Sequence, residues 1–212
     1  MLELIPQDQE FNTRDQITID IIKDGKEFLE QFELNQRILL DTVSLIYRFL
    51  KINRKIPHNL YKFFIAAYYI VERHPWSFPA HESKKRFCRR FGIQPSSLDY
   101  SVEKIVNSLR IVRILDDKNY PYYIDKKTDV GFKLAKSVVK SEVEKDVMKF
   151  LLYHQTVNSQ ILSEELLSKM ILEMNIFPAE LFRQFYDIIF ELVEESLLDY
   201  HEYIRLQEKY LI

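Results

Sequence analysis

Three features of this 212-residue chain predict an all-α or nearly all-α fold of two helical modules. Only three glycines occur, Gly25, Gly92 and Gly131, where ordinary usage supplies about fifteen, so few turns of positive φ are available to a β-rich fold. Apolar residues recur at the helical period of about 3.6 and hardly ever alternate. With 47% apolar and 29% charged residues, the chain reads as a soluble globular protein, long enough to bury one large core or two small ones.

After an N-terminal extension, residues 1–14, a helix is expected over Asp15 to Phe32. There Ile17, Ile21, Phe28 and Phe32 share a stripe and Gly25 weakens the middle. Asn35 to Leu50 is spaced for an amphipathic helix, with Asn35 as its cap and Ile38, Thr42, Leu45, Ile46 and Phe49 on one face. Asn59 to Arg73 differs in kind, because Leu60 and the run Phe63 to Val71 leave almost no polar face. A helix of that composition must be surrounded by others. His74-Pro75-Trp76-Ser77-Phe78-Pro79 ends it, since two prolines forbid continuation, and Trp76 and Phe78 are read as lids over the core.

His81 to Leu109 is the most legible stretch. At about 100° per residue, Lys85, Arg86, Arg89 and Arg90 cover one arc, while Phe87, Cys88 and Phe91 lie opposite. Gly92 supplies the stop. Pro95 followed by Ser96-Ser97-Leu98-Asp99 then gives a new helix start, with a cap and an acidic partner three positions on. Leu98, Val102, Ile105 and Leu109 form its buried stripe. Ser96, Ser97, Tyr100, Ser101 and Lys104 face outward near its positive N-terminal end. Two short helices joined through a glycine turn make a helix-turn-helix over residues 81–110, whose second helix is suited to a DNA groove.

Charge along the chain is sorted in the same sense. Residues 1–46 carry net −6, residues 47–140 net +12 and residues 141–212 net −8, so a near-neutral total hides one basic block. Clustered Lys and Arg is the electrostatic footprint of phosphate contact, and the expected partner is double-stranded DNA. The DNA-binding residues expected from this pattern are Lys84, Lys85, Arg86, Arg89, Arg90, Ser96, Ser97, Tyr100 and Lys104. The competing expectation is that the acidic flanks fold back and neutralise the block.

The order of helices over residues 16–110 resembles a cyclin-type repeat of the general transcription factor IIB family. The resemblance is carried by Ala66-Ala67-Tyr68-Tyr69-Ile70, by Lys85-Arg86-Phe87-Cys88-Arg89-Arg90-Phe91-Gly92-Ile93 leading into Ser97-Leu98, and by Val102-Glu103-Lys104-Ile105. Tyr120-Pro121-Tyr122-Tyr123-Ile124, Asp129 to Val139 and a helix over Ser141 to Leu152 resemble that family's passage into a second repeat. The resemblance implies a five-helix first repeat with a buried central helix. It also implies promoter-backbone contact beside a TATA-binding-protein-like partner. Two departures stand out: there are no cysteine pairs for a zinc ribbon, and the second half is acidic, which puts base reading by a second repeat in doubt.

The C-terminal half is read as helical too. Val147, Phe150, Leu151 and His154 mark one helix; Leu166, Leu167, Met170, Ile171 and Met174 a second; Phe182, Phe185, Ile189, Leu192 and Val193 a third, with Pro178 in its first turn. Two segments suggest hairpins: Val112 to Leu115 with Tyr122 to Asp125 around Asp116-Asp117-Lys118-Asn119, and Leu197 to Leu206. Tandem winged helices used for protein assembly are therefore the alternative architecture. The expected division is an extension (1–14), a helical domain (15–112), a linker or wing (113–127) and a second helical domain (128–212).

No enzyme class is favoured. His201-Glu202 opens like a zinc-protease motif, but Arg205 stands where the second histidine is required. The five histidines are scattered, and neither a phosphate-cradling glycine loop nor a nucleophile elbow occurs. No cofactor or small-molecule substrate is expected. Lone Cys88 fits a reducing compartment, and the longest apolar run, Phe63 to Val71, is far short of the ~20 residues that span a bilayer. Glu3, Asp8 and Glu10 do not suit a signal peptide, so the expected location is intracellular, either prokaryotic cytoplasm or nucleus.

Overall fold

The computed structural model describes residues 13–32, 34–53, 55–77, 80–115, 117–154 and 157–210; the extension up to Asn12, Phe78, Pro79 and Asp116 lie outside them. It is mainly helical, and two compact units divide it. The first comprises residues up to Arg73 together with Glu82–Ile111, the second His74–His81 with Val112 onward. The division differs from the expected one: 74–81 and Val112 leave the first helical domain, and the 113–127 segment joins the second unit rather than standing apart.

Among the described residues the first unit holds five helices, α1 (Thr13–Glu30), α2 (Gln36–Ile52), α3 (Leu60–Glu72), α4 (Lys84–Arg90) and α5 (Pro95–Leu109). Helix α3 is central, packing against α1, α2 and α5, as a helix without a polar face must. Every residue from Phe63 to Ile70 is buried. Helix α2 is capped by Asn35 and buries Leu39, Thr42, Leu45, Ile46, Phe49 and Leu50; the Thr42 hydroxyl donates to the Ile38 carbonyl at 2.7 Å. Ile38 itself is only half-buried, because the face is rotated toward Leu39. In α1 the inward stripe is Ile21, Gly25, Phe28 and Leu29, continued by Phe32 just past the helix, whereas Ile17 is exposed.

Gly25 does not weaken this packing. A Cβ at that position would stand 2.8 Å from Cε1 of Phe64, so the missing side chain is what lets α1 close on α3. Around that approach the Phe28 ring meets Tyr61 and Phe32, each at 5.1 Å between centroids, in edge-on geometry.

The second unit contains the 3-10 turn Pro75–Ser77, the antiparallel hairpin β1 (Val112–Leu115) and β2 (Tyr122–Ile124), then α6 (Val130–Tyr153), α7 (Ser159–Leu172), the 3-10 turn Ala179–Leu181 and α8 (Phe182–Tyr210). Val112 pairs with Ile124 and Arg113 with Tyr123, and the register slips between Arg113 and Leu115. Phe132, Ala135, Val139, Val143 and Val147 of α6 face Leu166, Leu167 and Met170 of α7 and Phe185, Ile189, Leu192 and Val193 of α8 in one core. Phe177 stacks on Phe185 at 3.9 Å and on Trp76 at 6.4 Å. The half-exposed Trp76 thus covers the core. His74 pairs with Asp129, whose other oxygen accepts from the Phe132 amide and caps α6.

Three expectations for this half are corrected. Leu197 to Leu206 is not a hairpin but the continuation of α8, so among the described residues β1 and β2 have no second counterpart. The segments expected as Asp129 to Val139 and Ser141 to Leu152 form one continuous helix of 24 residues. Its buried stripe lies earlier than predicted, leaving Phe150 and Leu151 half-exposed; Phe182 and Met174 are likewise at the edge of the core. No helix among the described residues is long and apolar enough to cross a membrane.

Gly25→Ala tests the close approach of α1 and α3. Helix propensity alone favours alanine by about 1 kcal/mol, but overpacking against a buried ring costs about 1–3 kcal/mol. A net destabilisation is expected, read as a lower urea midpoint with an unchanged slope.

Candidate nucleic-acid interface

Helix α4 is short, seven residues, and begins at Ser83, whose hydroxyl accepts from the Arg86 amide at 3.4 Å. Phe87 and Cys88 are buried beneath it, and burial pushes the Cys88 thiol pKa up. At its end Gly92 takes φ +59°, in the left-handed region, and the Ile93 amide donates to the Cys88 carbonyl at 3.0 Å. This is the Schellman closure that glycine favours. Residues Phe91 to Gln94 then connect to α5, whose buried face is Leu98, Val102, Ile105, Val106 and Leu109. The Tyr61 hydroxyl of α3 donates to the Phe91 carbonyl at 2.5 Å, pinning the turn to the central helix.

The predicted capping box at the start of α5 does not form. Gln94 occupies the cap position without a side-chain hydrogen bond, Pro95 opens the helix, and Ser96 and Ser97 lie inside its first turn. Asp99 turns instead to Lys84, whose Nζ meets its two carboxylate oxygens at 3.0 and 3.2 Å. One proline earlier is enough to shift the helix start, because proline suits the first helical position and needs no amide partner there.

The basic arc divides into two groups. Arg90 is paired: its Nη2 lies 2.7 Å from Glu82 Oε1 and 3.6 Å from Glu72, and its guanidinium sits over the Phe91 ring at 4.6 Å. Lys84 is held by Asp99. Arg86 makes only a long contact, 3.8 Å, with Glu82 and remains exposed. Lys85 and Arg89 are exposed, and among the described residues no ion pair engages either. Lys85, Arg86 and Arg89 flank a shallow trough of about 470 Å³.

The outward residues of α5 gather at a second concavity. Ser96, Ser97, Tyr100, Ser101 and Lys104 line a groove of about 370 Å³, joined by His58, Asn59, Lys62 and Phe63 from the start of α3. Lys62 donates from Nζ to the Ser97 hydroxyl at 3.2 Å. Sequence reasoning missed Lys62 and His58. Thirty-five positions separate Lys62 from Ser97, and no local period reports a contact at that distance.

Beneath the surface Arg73 is fully buried, its guanidinium 3.5 Å from the Tyr69 ring centroid and its Nη2 donating to the Glu82 carbonyl at 2.8 Å. The neighbouring Tyr68 hydroxyl donates to Glu72, and burial together with that carboxylate pushes the phenol up to about 12. Among the described residues no group of three or more His, Cys, Asp or Glu side chains is placed to hold a metal ion. No protein-family model, curated protein or solved structure matches the chain.

Glu82→Gln removes the carboxylate that Arg90 leans on. Because Arg90 is itself 47% exposed, the cost falls well below that of breaking a fully buried pair, at about 1 kcal/mol. Chemical denaturation should show that loss, and Arg90→Met combined with Glu82→Gln should lose less than the sum of the two single changes.

Proposed function

We propose that the chain is a non-enzymatic DNA-binding, transcription-associated factor that uses α4 and α5 as a helix-turn-helix. The observation that carries this reading is the state of the basic arc: Lys85, Arg86 and Arg89 stand in solvent with little or no carboxylate compensation, and Ser96, Tyr100 and Lys104 of α5 are exposed as well. Like charges held together on a surface favour a polyanion, and donors at a helix start favour its phosphates. In mechanism, the arc supplies salt-dependent backbone affinity and α5 fixes position in a groove.

Five helices with α3 in the middle support the cyclin-type reading of the first unit and, with it, a transcription-factor-IIB-like role beside a TATA-binding-protein-like partner. In chain order the hairpin follows α5, as a wing does in a winged helix, but Leu197 to Leu206 is helix, which removes support for a tandem arrangement. For the acidic second unit a protein partner is the better reading. Leu151, Leu152 and Tyr153 at the end of α6 and Ile161 of α7 are all about half exposed or more, an unusual concentration of apolar surface.

Duplex binding measured at two salt concentrations tests the DNA reading. Three phosphate contacts give a slope of about −2.7 in log K against log salt, so affinity should fall about forty-fold between ~50 and ~200 mM. Lys85→Ala with Arg89→Ala should lower that slope by about two, and Glu82→Gln should tighten binding even as it destabilises the fold. A chain with no measurable duplex affinity at the lower salt is an assembly protein instead.

A further inference from the structure

The groove between α3 and α5 differs from the α4 arc in one respect: none of its lining residues is a carboxylate. On α4, Lys84 and Arg90 are answered by Asp99, Glu72 and Glu82. In the groove Lys62, half-buried, has the neutral Ser97 hydroxyl as its partner, and among the described residues no ion pair engages it or Lys104. A cation drawn partly out of water and answered only by a hydroxyl keeps its full attraction for an anion.

The rest of the lining says what kind of anion. Lys62 comes from α3 and Lys104 from α5, so two cations from separate helices border one space. The Ser97 hydroxyl and the neighbouring His58 add hydrogen-bonding capacity. Phe63, buried at the base, and Tyr100, 73% exposed at the rim, supply aromatic surface. A volume of about 370 Å³ falls within the roughly 300–1,000 Å³ of small-molecule sites. An inorganic anion needs no aromatic rim, whereas a nucleotide presents a charged ester and a flat ring to stack.

We infer that this groove seats a nucleoside phosphate ester, its phosphate held by Lys62, Lys104 and Ser97 and its base or sugar resting on Tyr100. The inference deepens the nucleic-acid reading and rests on it for one of two sources: a strand offers the ester as part of its backbone, and a free mononucleotide offers it from solution. Recognition at this seat is separate from that of Lys85 and Arg89, which belong to the α4 trough.

Backbone amide spectra of the full chain, titrated in ~50 mM salt with thymidine monophosphate, with inorganic phosphate and with a short DNA duplex, test it. Thymidine monophosphate should shift the amides of Asn59 to Phe63 and Ser96 to Ser101 saturably. Lys62→Met and Lys104→Met should each weaken that binding about tenfold, and Lys85→Ala with Arg89→Ala should leave it unchanged. Lys104 is exposed, so its variant tests the seat even where Lys62→Met unfolds. Absence of these shifts in the wild type, or equal binding by the wild type and Lys104→Met, overturns the inference. Inorganic phosphate binding as tightly as the nucleotide overturns the nucleoside assignment. A duplex that displaces the nucleotide supports the seat and identifies a strand as the source; nucleotide binding without any duplex binding supports the seat with a free ligand and removes the DNA reading. Duplex binding with no nucleotide binding keeps the DNA reading and removes the seat.

Discussion

The buried guanidinium of Arg73 is the constraint on which the first unit depends. Helix α3 is apolar almost throughout, and a charge at its end must either reach water or be answered inside. It is answered inside: Tyr69 and Phe87 offer ring faces at 3.5 and 5.0 Å, Glu72 a carboxylate oxygen at 3.1 Å, and Glu82 its backbone carbonyl. Glu72 and Glu82 in turn hold Arg90, and Glu72 also accepts from Tyr68. Two of these partners, Phe87 and Arg90, belong to α4. A seven-residue helix has no stability of its own, so the direction in which Lys85 and Arg89 point is set from the interior by a cation at the end of α3.

Within a block of net charge +12 the same network answers several cations locally, while Lys126 reaches Glu191 of the acidic C-terminal segment at 3.7 Å. Glu72, Glu82 and Asp99 lie within the block and answer Arg73, Arg90 and Lys84. In α4 these pairs fall at the two ends of the helix, and the middle of the arc keeps only the 3.8 Å contact of Arg86 with Glu82. Where acid is supplied, charge becomes structure; where it is withheld, charge remains available to a ligand. The arithmetic of net charge per segment cannot see this distinction, because it depends on which cation each carboxylate reaches.

What was legible in the sequence was local. The Asn35 cap, the Phe63 to Ile70 run, the stop at Gly92, the stripe Leu98, Val102, Ile105 and Leu109, and the first hairpin all follow from spacing of a few residues. What failed was set by packing or by propagation. Gly25 looked like a flaw until its distance to Phe64 was known. Leu197 to Leu206, read as a hairpin, is rich in Leu, Ile and Tyr. Yet it follows a long helix with no glycine or proline between, and extending a helix costs far less than starting a new element. In α6 the buried positions step by three or four from Phe132 to Val147 without interruption, so the helix has no reason to divide. Lys62 and Arg73 act through residues remote in sequence or buried in three dimensions, and neither leaves a periodic trace.

The missing capping box at α5 is the instructive failure. Helices α2, α3, α4, α6 and α7 begin under a side chain that accepts an amide hydrogen bond; α5 begins at Gln94 without one. An uncapped start costs on the order of 1 kcal/mol, and two residues suited to lowering it, Ser96 and Ser97, stand two and three positions too late to do so. Ser97 receives the Lys62 ammonium and Asp99 ties down Lys84. The polar groups that local rules assign to closing the helix are therefore used to position cations, one on each side of α5. This start gives up local stability, and it places Lys62 of α3 and Lys84 of α4 around the same helix end.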